Sequence, residues 1–293
     1  MERRTLFAGW KLPLLLVAPQ LALTFVFFYW PAFVGAYESF TRTDAFGVHT
    51  VFVGLANFIT LFEDPRYIQS IVRTIEFCVA VTVLAIVLGL VLAVAVDREL
   101  RGRSIYQVLM IWPYAVAPAV SAVLWILLLN PQIGPIGRFL VAHGVNWDYA
   151  LDGDQAMLMV ILASAWKQVS YNFIFVLAGL QSIPKAVIEA ARMDGATGWY
   201  RFRTVILPLL MPTVFFLIVV DLVYAAFDTF GTIWAMTRGG PASATETLVI
   251  KVYNDGVVNL DLGSSSAQSV VLMLGIVALT ALQFRFLGRR SDS

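Results

Sequence analysis

Long apolar stretches without charged residues constrain this chain more than any other feature of its sequence. Such stretches run from Leu12 to Tyr37, from Phe77 to Val96 and from Leu262 to Phe284. A helix that crosses a bilayer needs about 20 predominantly apolar residues, and each of the three stretches reaches that length. The pattern predicts an all-α integral membrane protein in which these stretches are transmembrane helices.

Composition supports the same conclusion, because 59% of the residues are hydrophobic and only 13% are charged. Soluble domains average roughly 45 to 50% and about 25%, so this chain cannot hide its apolar surface in one water-soluble core. The third apolar segment stays uncharged as far as Gly137, but Asn130-Pro131 and Gly134-Pro135 predict that its helix ends near Leu129. Six transmembrane helices are expected. Their segments begin near Leu12, Phe77, Ser104, Gln155, Thr204 and Leu262.

The Lys and Arg residues are divided unevenly between the predicted loops. Basic residues near the ends of spans stay on the cytoplasmic side, so their distribution predicts the orientation. With the amino terminus inside, 13 basic residues are cytoplasmic and six are outside, while Lys167 lies within a span. Both termini are therefore predicted to be cytoplasmic. The inner set is Arg3, Arg4, Lys11, Arg98, Arg101, Arg103, Lys185, Arg192, Arg201, Arg203, Arg285, Arg289 and Arg290, and the outer set is Arg42, Arg66, Arg73, Arg138, Arg238 and Lys251.

No segment outside the spans is long enough for a separate soluble domain. The longest outer loops cover about residues 41–70 and 238–261. We expect a single transmembrane domain over residues 1–293, with a first span at about 12–37, core spans within about 71–288 and a cytoplasmic loop at about 183–208. The apolar run after Lys11 is longer than a typical signal-peptide core and lacks a clear small-x-small cleavage site. It is expected to be an uncleaved first span.

Several classes of function lack their sequence signals. The chain has no GxxxxGK[ST] loop and no GxGxxG after a strand, so we expect no nucleotide cofactor and no ATP hydrolysis in it. His49 and His143 stand apart in outer loops, and no cluster has metal-ligand spacing, so neither a metal nor a catalytic residue is predicted. Cys78 is alone and cannot form an intrachain disulfide. No basic cluster is interleaved with aromatic residues as a nucleic-acid surface would need.

A charged, glycine-punctuated loop separates the fourth and fifth spans. Pro184 suits the first turn of a helix and Gly195 the position just past its end, which predicts a short helix over about Lys185 to Met193. Three- and four-residue spacing places Val187, Ile188 and Ala191 on one face and Glu189 and Arg192 on another. Small Ala190 and Ala191 would let a partner approach closely. The loop is interpreted as a docking element.

The same loop resembles the EAA loop of ABC importer permeases, whose pattern is EAA, three residues, Gly, nine residues, Ile, one residue and Leu-Pro. The matching residues are Glu189, Ala190, Ala191, Gly195, Leu207 and Pro208, with Val205 in place of Ile. Six matches over 20 positions between two membrane spans form a specific signal. The alternative is an ordinary cytoplasmic loop with a turn glycine.

Three ionisable residues fall inside predicted spans: Lys167, Asp221 and Asp228. A charge at membrane depth costs a few kcal/mol or more, so it generally faces a cavity or a partner. At 1.5 Å per residue Lys167 lies about 25 Å from Pro184, and Asp228 lies at comparable depth, 20 residues after Pro208. The two residues either form a buried structural pair or belong to a translocation path for an anionic or polyhydroxyl substrate. Asp221 is interpreted as structural.

Polar side chains near these charges are further candidates for the path. Trp112-Pro113-Tyr114 and Pro118 interrupt the third span, and prolines free backbone carbonyls that a cavity can use. Tyr114 is therefore predicted to face the path, with simple packing as the alternative. The candidates on the fourth and fifth spans are Gln168, Tyr171, Asn172 and Tyr224.

Stretches along nearly the whole chain are similar to the MalF-like permeases of carbohydrate ABC importers. They are LPLLLVAPQ near the start, FVGLANF before the second span, WPYAVAPAVSAVLWILLLNP on the third, LQSIP before the loop and TRGGPASATETL after the fifth. AWKQVSYNF on the fourth span and DLGSSSAQSVVLM entering the sixth resemble the A-type permeases of glycerol-3-phosphate importers. The resemblance implies the type I ABC importer permease fold (MetI/MalF-like), with six transmembrane helices and a cytoplasmic coupling helix.

That resemblance also implies partners and a mechanism. A second homologous permease, an ATPase homodimer that uses ATP and Mg, and an extracytoplasmic solute-binding protein would assemble with this chain in the inner membrane of a prokaryote, surrounded by lipid. The solute would be glycerol-3-phosphate, a glycerophosphodiester or a sugar-like molecule, moved by alternating access. Residues of the family's central site map onto Tyr114, Lys167, Gln168, Tyr171, Asp228 and Thr229, where a lysine would suit a phosphate.

In the same family the EAA helix seats in the ATPase. Glu189 would be available for an arginine of the ATPase, and Gly195 would permit the tight exit turn. The residues expected to take part in coupling are Glu189, Ala190, Ala191, Asp194 and Gly195.

Two other classes of function remain open from the sequence. An ion- or proton-coupled secondary transporter would use the intramembrane Lys167 and Asp228 as a relay, although such a carrier does not need the elaborate cytoplasmic loop. A membrane scaffold that anchors an ATPase without transporting anything is the second alternative. Co-purification of an ATPase subunit would separate the first alternative from an importer, and loss of solute uptake on deletion would argue against the second.

Overall fold

The computed structural model describes residues 10–43, 49–97 and 103–291, and most of them are helical. The predicted inner-side residues Arg3, Arg4, Arg98 and Arg101 lie outside these ranges. The first half of the chain contains α1 (Lys11–Thr24), α2 (Trp30–Glu38), β1 (Thr41–Thr43), β2 (Thr50–Phe52), α3 (Ala56–Glu63), α4 (Pro65–Asp97), α5 (Arg103–Ala115), α6 (Pro118–Leu129) and α7 (Pro135–Ala142). The second half contains α8 (Gly153–Ser182), α9 (Lys185–Met193), α10 (Gly198–Arg201), α11 (Leu207–Val223), α12 (Phe230–Met236), α13 (Leu248–Tyr253) and α14 (Leu262–Ser291).

Among the described residues, five helical stretches are long and apolar enough to cross a membrane: Lys11–Glu38, Pro65–Asp97, Gly153–Ser182, Gly198–Asp228 and Leu262–Arg285. Helices α5 and α6 give a sixth span only if they are counted together, because they are bent by 105° at the break between them. The predicted end of the third segment at Leu129 is confirmed. Its prolines have a larger effect than expected, since Pro118 starts a new helix and does not merely interrupt an existing one.

The described residues contain four π-helical segments, one of which, Asn254–Val258, follows α13, and two others explain how prolines are accommodated in long helices. Phe25–Tyr29 precedes Pro31, and Phe202–Ile206 precedes Pro208. Proline lacks the N–H that would continue the α-helical ladder, so a wider turn before it absorbs the mismatch. The segment Tyr224–Asp228 has no proline after it. There the hydroxyl of Thr229 donates to the carbonyl of Ala225 at 2.9 Å.

The chain divides into two compact units. The first combines residues up to Asp64 with Val252–Met273. Its strands β1 and β2 pair antiparallel, with Thr41 opposite Phe52. The amide of Asn57 donates to the carbonyls of Ser39 and Thr41 at 3.0 and 2.7 Å, which anchors α3 to the start of β1.

The second unit combines Pro65–Lys251 with the residues from Leu274 onwards, and it contains most of the buried core. One cluster gathers around Phe77, Val160 and Ile233, and another around Phe173 and Leu217, all of them at most 1% exposed. Helices α4 and α8 pack against each other in this unit. Small residues let membrane helices approach closely, and Gly89 of α4 is such a position.

The contact at Gly89 is too close for any larger side chain. A Cβ at Gly89 would lie 2.6 Å from Cβ of Asn172 and 3.1 Å from the backbone nitrogen of Phe173. Gly275 of α14 has nothing within 4 Å of the corresponding position. The two glycines therefore form a matched pair, one that packs tightly and one that is open.

We predict that Gly89→Ala destabilises the purified protein, because the added methyl group forces α4 and α8 apart. Overpacking of this kind costs about 1 to 3 kcal/mol. Thermal unfolding in detergent measures the change, with Gly275→Ala as the control that is expected to unfold at or above the temperature of the unaltered protein. Equal unfolding temperatures for the two variants would contradict the close approach.

Candidate functional site

A cavity of about 330 Å³ opens in the second unit where the broken third segment meets the fourth and fifth spans. Tyr114 reaches it from the end of α5, just before the bend, while α8, α11 and the π-helical segment Tyr224–Asp228 supply the other walls. The first and last residues of the π-helical segment, Tyr224 and Asp228, both line the cavity. The lining residues are Tyr114, Gln168, Tyr171, Val219, Val220, Val223, Tyr224 and Asp228.

Aromatic rings form one wall of this cavity and continue into the packing behind it. The rings of Tyr114 and Tyr171 lie 5.7 Å apart between centroids, and those of Tyr171 and Phe175 lie 4.6 Å apart. Phe175 in turn contacts Phe216 of α11 at 5.3 Å. Such pairs are favourable at these separations. The ring series ties the end of α5 to α8 and α8 to α11.

A buried carboxylate joins α8 to α11 beside the cavity. Asp221 is fully buried, and its Oδ1 accepts a hydrogen bond from Nε2 of Gln168 at 2.7 Å. Nδ2 of Asn172 donates to both carboxylate oxygens, at 3.1 and 2.9 Å. A buried charge is tolerated only when hydrogen bonds replace its lost hydration, and these amides provide them. The contacts agree with the structural role predicted for Asp221.

Asp228 differs from Asp221, because its carboxylate lines the cavity and is exposed. Within the part of the chain that the structure describes, it has no hydrogen-bond or ion-pair partner. The phenol of Tyr224, one turn earlier, donates to the backbone carbonyl of Ser164 at 3.4 Å. Asp228 is therefore the charged group that the cavity offers to a ligand.

The structure brings five of the eight predicted path residues to the cavity: Tyr114, Gln168, Tyr171, Tyr224 and Asp228. The apolar part of the lining, Val219, Val220 and Val223, was missed. Valines in a membrane span give no sequence signal that separates a cavity wall from lipid-facing or packed surface.

The other three predicted path residues, Lys167, Asn172 and Thr229, do not line the cavity and are buried. Lys167 is 8% exposed, and no ion pair joins it to Asp228 among the described residues. Of the two alternatives for these residues, the structural pair is therefore not formed in the described part of the chain. Counting residues along the two helices predicted that Lys167 and Asp228 lie at the same depth in the membrane. It could not predict the direction in which each side chain points.

The predicted short helix between the fourth and fifth spans is α9, and it begins and ends where expected. Pro184 precedes it as the capping residue and is not within its first turn. At the other end Gly195 has a φ of +83°, a left-handed conformation that glycine adopts without steric cost. The N–H of Ala196 bonds to the carbonyl of Ala191 at 2.9 Å, and that of Gly195 to Arg192 at 3.1 Å. This is a Schellman motif, which ends the helix abruptly.

One face of α9 is buried and the other is open. Ile188 packs against the core cluster around Phe173, and Ala191 is 8% exposed. Ala191, which was predicted to let a partner approach closely, is buried in this structure, as is Ala196 after the end of the helix. Val187 was predicted on the same face but is 39% exposed.

The open face of α9 continues into the turn after it. Glu189, Ala190 and Asp194 are exposed. Large apolar side chains accompany them, since Met193 is 88% and Trp199 is 72% exposed. Exposed large apolar side chains close in sequence to two acidic residues are typical of a protein contact.

No group of three or more His, Cys, Asp or Glu side chains in the described ranges is arranged to hold a metal ion. The chemistry that the cavity offers is therefore hydrogen bonding, ring contacts and one carboxylate.

Comparison with known proteins identifies the family. The family model described as "Binding-protein-dependent transport system inner membrane component" matches residues 85–292. A sn-glycerol-3-phosphate transport system permease protein UgpA of Brucella abortus is 56% identical over 288 residues, which are 98% of each chain. The UgpA of Agrobacterium fabrum is 57% identical over 279 residues, 95% of each chain.

Two solved structures show the same fold. A bacterial alginate ABC transporter in complex with an alginate-bound periplasmic protein has a chain that superposes with a TM-score of 0.82 at 20% identity, covering 97% of this chain and 96% of that one. A structure of a bacterial ABC transporter involved in alginate import gives 0.78 at 22% identity, covering 94% and 96%.

The predicted resemblance to carbohydrate-type ABC importer permeases and the predicted helical permease fold are confirmed. The chain is a multi-pass membrane protein and a component of a transporter, not an enzyme. It belongs to the family of binding-protein-dependent transport system inner membrane components.

Proposed function

We propose that this chain is a permease subunit of an importer for sn-glycerol-3-phosphate or a related glycerol phosphodiester, and that the cavity beside the broken third segment is its part of the solute path. The observation that carries the substrate proposal is the 56% identity, over 98% of both chains, with a permease named for sn-glycerol-3-phosphate transport. The cavity supports it, because its volume of about 330 Å³ accommodates a small polar solute. The few hydrogen-bonding groups in its mostly apolar lining suit hydroxyl groups.

The assembly that follows from this proposal has a second homologous permease, an ATPase homodimer with ATP and Mg, and an extracytoplasmic solute-binding protein. The structural neighbour solved with a bound periplasmic protein supports the last of these. Both termini and α9 face the cytoplasm, as the excess of Lys and Arg in the predicted inner loops favours. The whole chain acts as one transmembrane domain that alternates between inward- and outward-facing states.

Helix α9 is the element that would contact the ATPase. Its inner face is fixed to the core by Ile188 and Ala191, while the outer face carries Glu189 among exposed small and apolar residues. An exposed carboxylate on such a face can accept charge-assisted hydrogen bonds from an arginine of the partner. Because the Schellman motif stops the helix at Met193, α9 can be displaced by the ATPase as a rigid body.

The test of the proposed function is uptake by the complete complex. The two permeases, the ATPase and the binding protein are reconstituted in liposomes, and we expect radiolabelled sn-glycerol-3-phosphate to enter only when ATP is present on the ATPase side. Ionophores that collapse proton and sodium gradients are expected to leave uptake unchanged. Uptake that needs an ion gradient and ignores ATP would favour an ion-coupled transporter instead.

We predict that Glu189→Lys lowers ATP-driven uptake at least tenfold, because it replaces an acceptor for an arginine with a like charge. Since Glu189 is exposed and its side chain makes no hydrogen bond or ion pair within the described residues, the unfolding temperature of the permease is expected to stay unchanged. Uptake and ATPase activity are measured on the same liposomes. Uptake at the level of the unaltered protein would remove Glu189 from the proposed contact.

The left-handed turn at Gly195 generates a second prediction for α9. Gly195→Val is expected to reduce uptake, because a β-branched residue at φ +83° costs about 1 to 2 kcal/mol or more and distorts the end of α9. Gly144, also at φ +83° and also in open space, is the matched control. Gly144→Val carries the same backbone strain away from α9, and its uptake is expected to remain near normal. Equal loss in both variants would mean that strain alone, and not coupling, explains the effect.

A further inference from the structure

The amide of Gln168 is held in one orientation by the residues around it. A free glutamine side chain can present either its NH₂ or its carbonyl oxygen, since the two ends have nearly the same shape. Here Nε2 lies 2.7 Å from Oδ1 of Asp221. The NH₂ end donates to this oxygen and therefore faces Asp221. The carbonyl oxygen, Oε1, therefore points the other way.

Asp221 is itself fixed by a second amide. Nδ2 of Asn172 donates to both oxygens of Asp221 and also to the backbone carbonyl of Gln168, at 3.0 Å. All three contacts are made by the NH₂ group, so turning the Asn172 amide over would break them. Asn172 is fully buried and is pressed against Gly89 of the neighbouring helix. The carboxylate consequently has little freedom to move away from Gln168.

The free end of the Gln168 amide faces the cavity. Gln168 is one of the lining residues, and its Oε1 has no hydrogen-bond partner in the described part of the chain. Oδ1 of Asn172 is fully enclosed and has no hydrogen-bond partner. Oε1 of Gln168, by contrast, is not fully enclosed. Oε1 is thus accessible from the cavity and available to accept a hydrogen bond.

The polar groups that line the cavity are Gln168, Asp228 and three tyrosine hydroxyls, of which those of Tyr114 and Tyr171 can donate as well as accept. Oε1 of Gln168 and the carboxylate of Asp228 only accept, and the hydroxyl of Tyr224 already donates to Ser164. No Lys or Arg side chain is among the lining residues. A phosphate group also offers only acceptors and negative charge, so it finds no donor in Oε1 of Gln168 and is repelled by the carboxylate of Asp228. Hydroxyl groups have protons to donate and would be held by these two acceptors.

We propose that Asp221 is a positioning residue that locks the Gln168 amide with its oxygen towards the cavity, so that this chain recognises the hydroxyl groups of the solute and not its phosphate. The inference rests on the proposed function, because it takes the cavity to be part of the solute path. The glycerol end of the solute then faces Gln168 and Asp228. The phosphate faces away from the wall that this chain supplies.

The test compares two solutes that differ by one hydroxyl. Uptake of sn-glycerol-3-phosphate is measured against that of propane-1,2-diol 1-phosphate, which lacks the terminal hydroxyl, with the complete complex in liposomes. The same binding protein is used in every arm, so its own selectivity cancels between permease variants. We expect Asp221→Asn to lower the ratio of the two kcat/KM values about fivefold, because an asparagine lets the Gln168 amide turn over.

Two further variants separate positioning from stability. Gln168→Met removes the acceptor itself and is expected to lower the ratio by about the same factor, and the double variant is expected to show no further loss. Leu217→Ala, one turn from Asp221 in the core of α11, is the control that should weaken the protein without changing the ratio. If Asp221→Asn does not fold, Gln168→Met alone still tests which group reads the hydroxyl.

The outcomes distinguish failure of this inference from failure of the proposed function on which it rests. Suppose the unaltered complex takes up sn-glycerol-3-phosphate, and Asp221→Asn or Gln168→Met leaves the ratio of the two kcat/KM values unchanged. That result would overturn this inference and leave the proposed function standing. Independent, multiplicative effects of the two substitutions would overturn the positioning role of Asp221. A wild-type complex that transports neither compound would overturn the proposed function and this inference with it.

Discussion

The carboxylate of Asp221 is the group on which the arrangement of the cavity depends. It is fully buried in an apolar span, where an unpaired charge would cost several kcal/mol, and only donors from another helix can compensate. Gln168 and Asn172 supply them from α8. The need to satisfy this buried group therefore helps to fix how α8 and α11 face each other, and with it the positions of Tyr171, Tyr224 and Asp228 in the cavity.

Much of the fold was predictable because membrane spans obey simple rules. The uncharged runs located the long helices to within a few residues, except that α4 begins at Pro65 and so extends well before the apolar run at Phe77. The polar first turns of α4 are stabilised by packing against the protein, which hydropathy does not measure. Pro184 and Gly195 bracketed α9 correctly, since both residues act through local backbone geometry.

Features that depend on tertiary contacts were not predictable in the same way. Prolines predicted an interruption after Tyr114, but the bend of 105° depends on how α6 packs against α12 and α8. Helical spacing placed Lys167 and Asp228 at one depth, yet only the structure shows that Asp228 reaches the cavity while Lys167 is buried elsewhere. Likewise Ala191 belongs to the EAA tripeptide, and nothing in that pattern reveals that it packs inward.

The chain's own connectivity has a mechanical consequence. Helix α9 follows directly after α8, and the stretch Gly198–Asp228 that begins a few residues beyond it is helical throughout. Gln168 lies on the first of these flanking helices and Asp228 at the end of the second, so two walls of the cavity are covalently continuous with the hairpin formed by α9 and the turn after it. Force applied to that hairpin would travel along hydrogen-bonded helical backbone, which resists compression better than a succession of side-chain contacts. The force would therefore change the spacing of both of these walls at once.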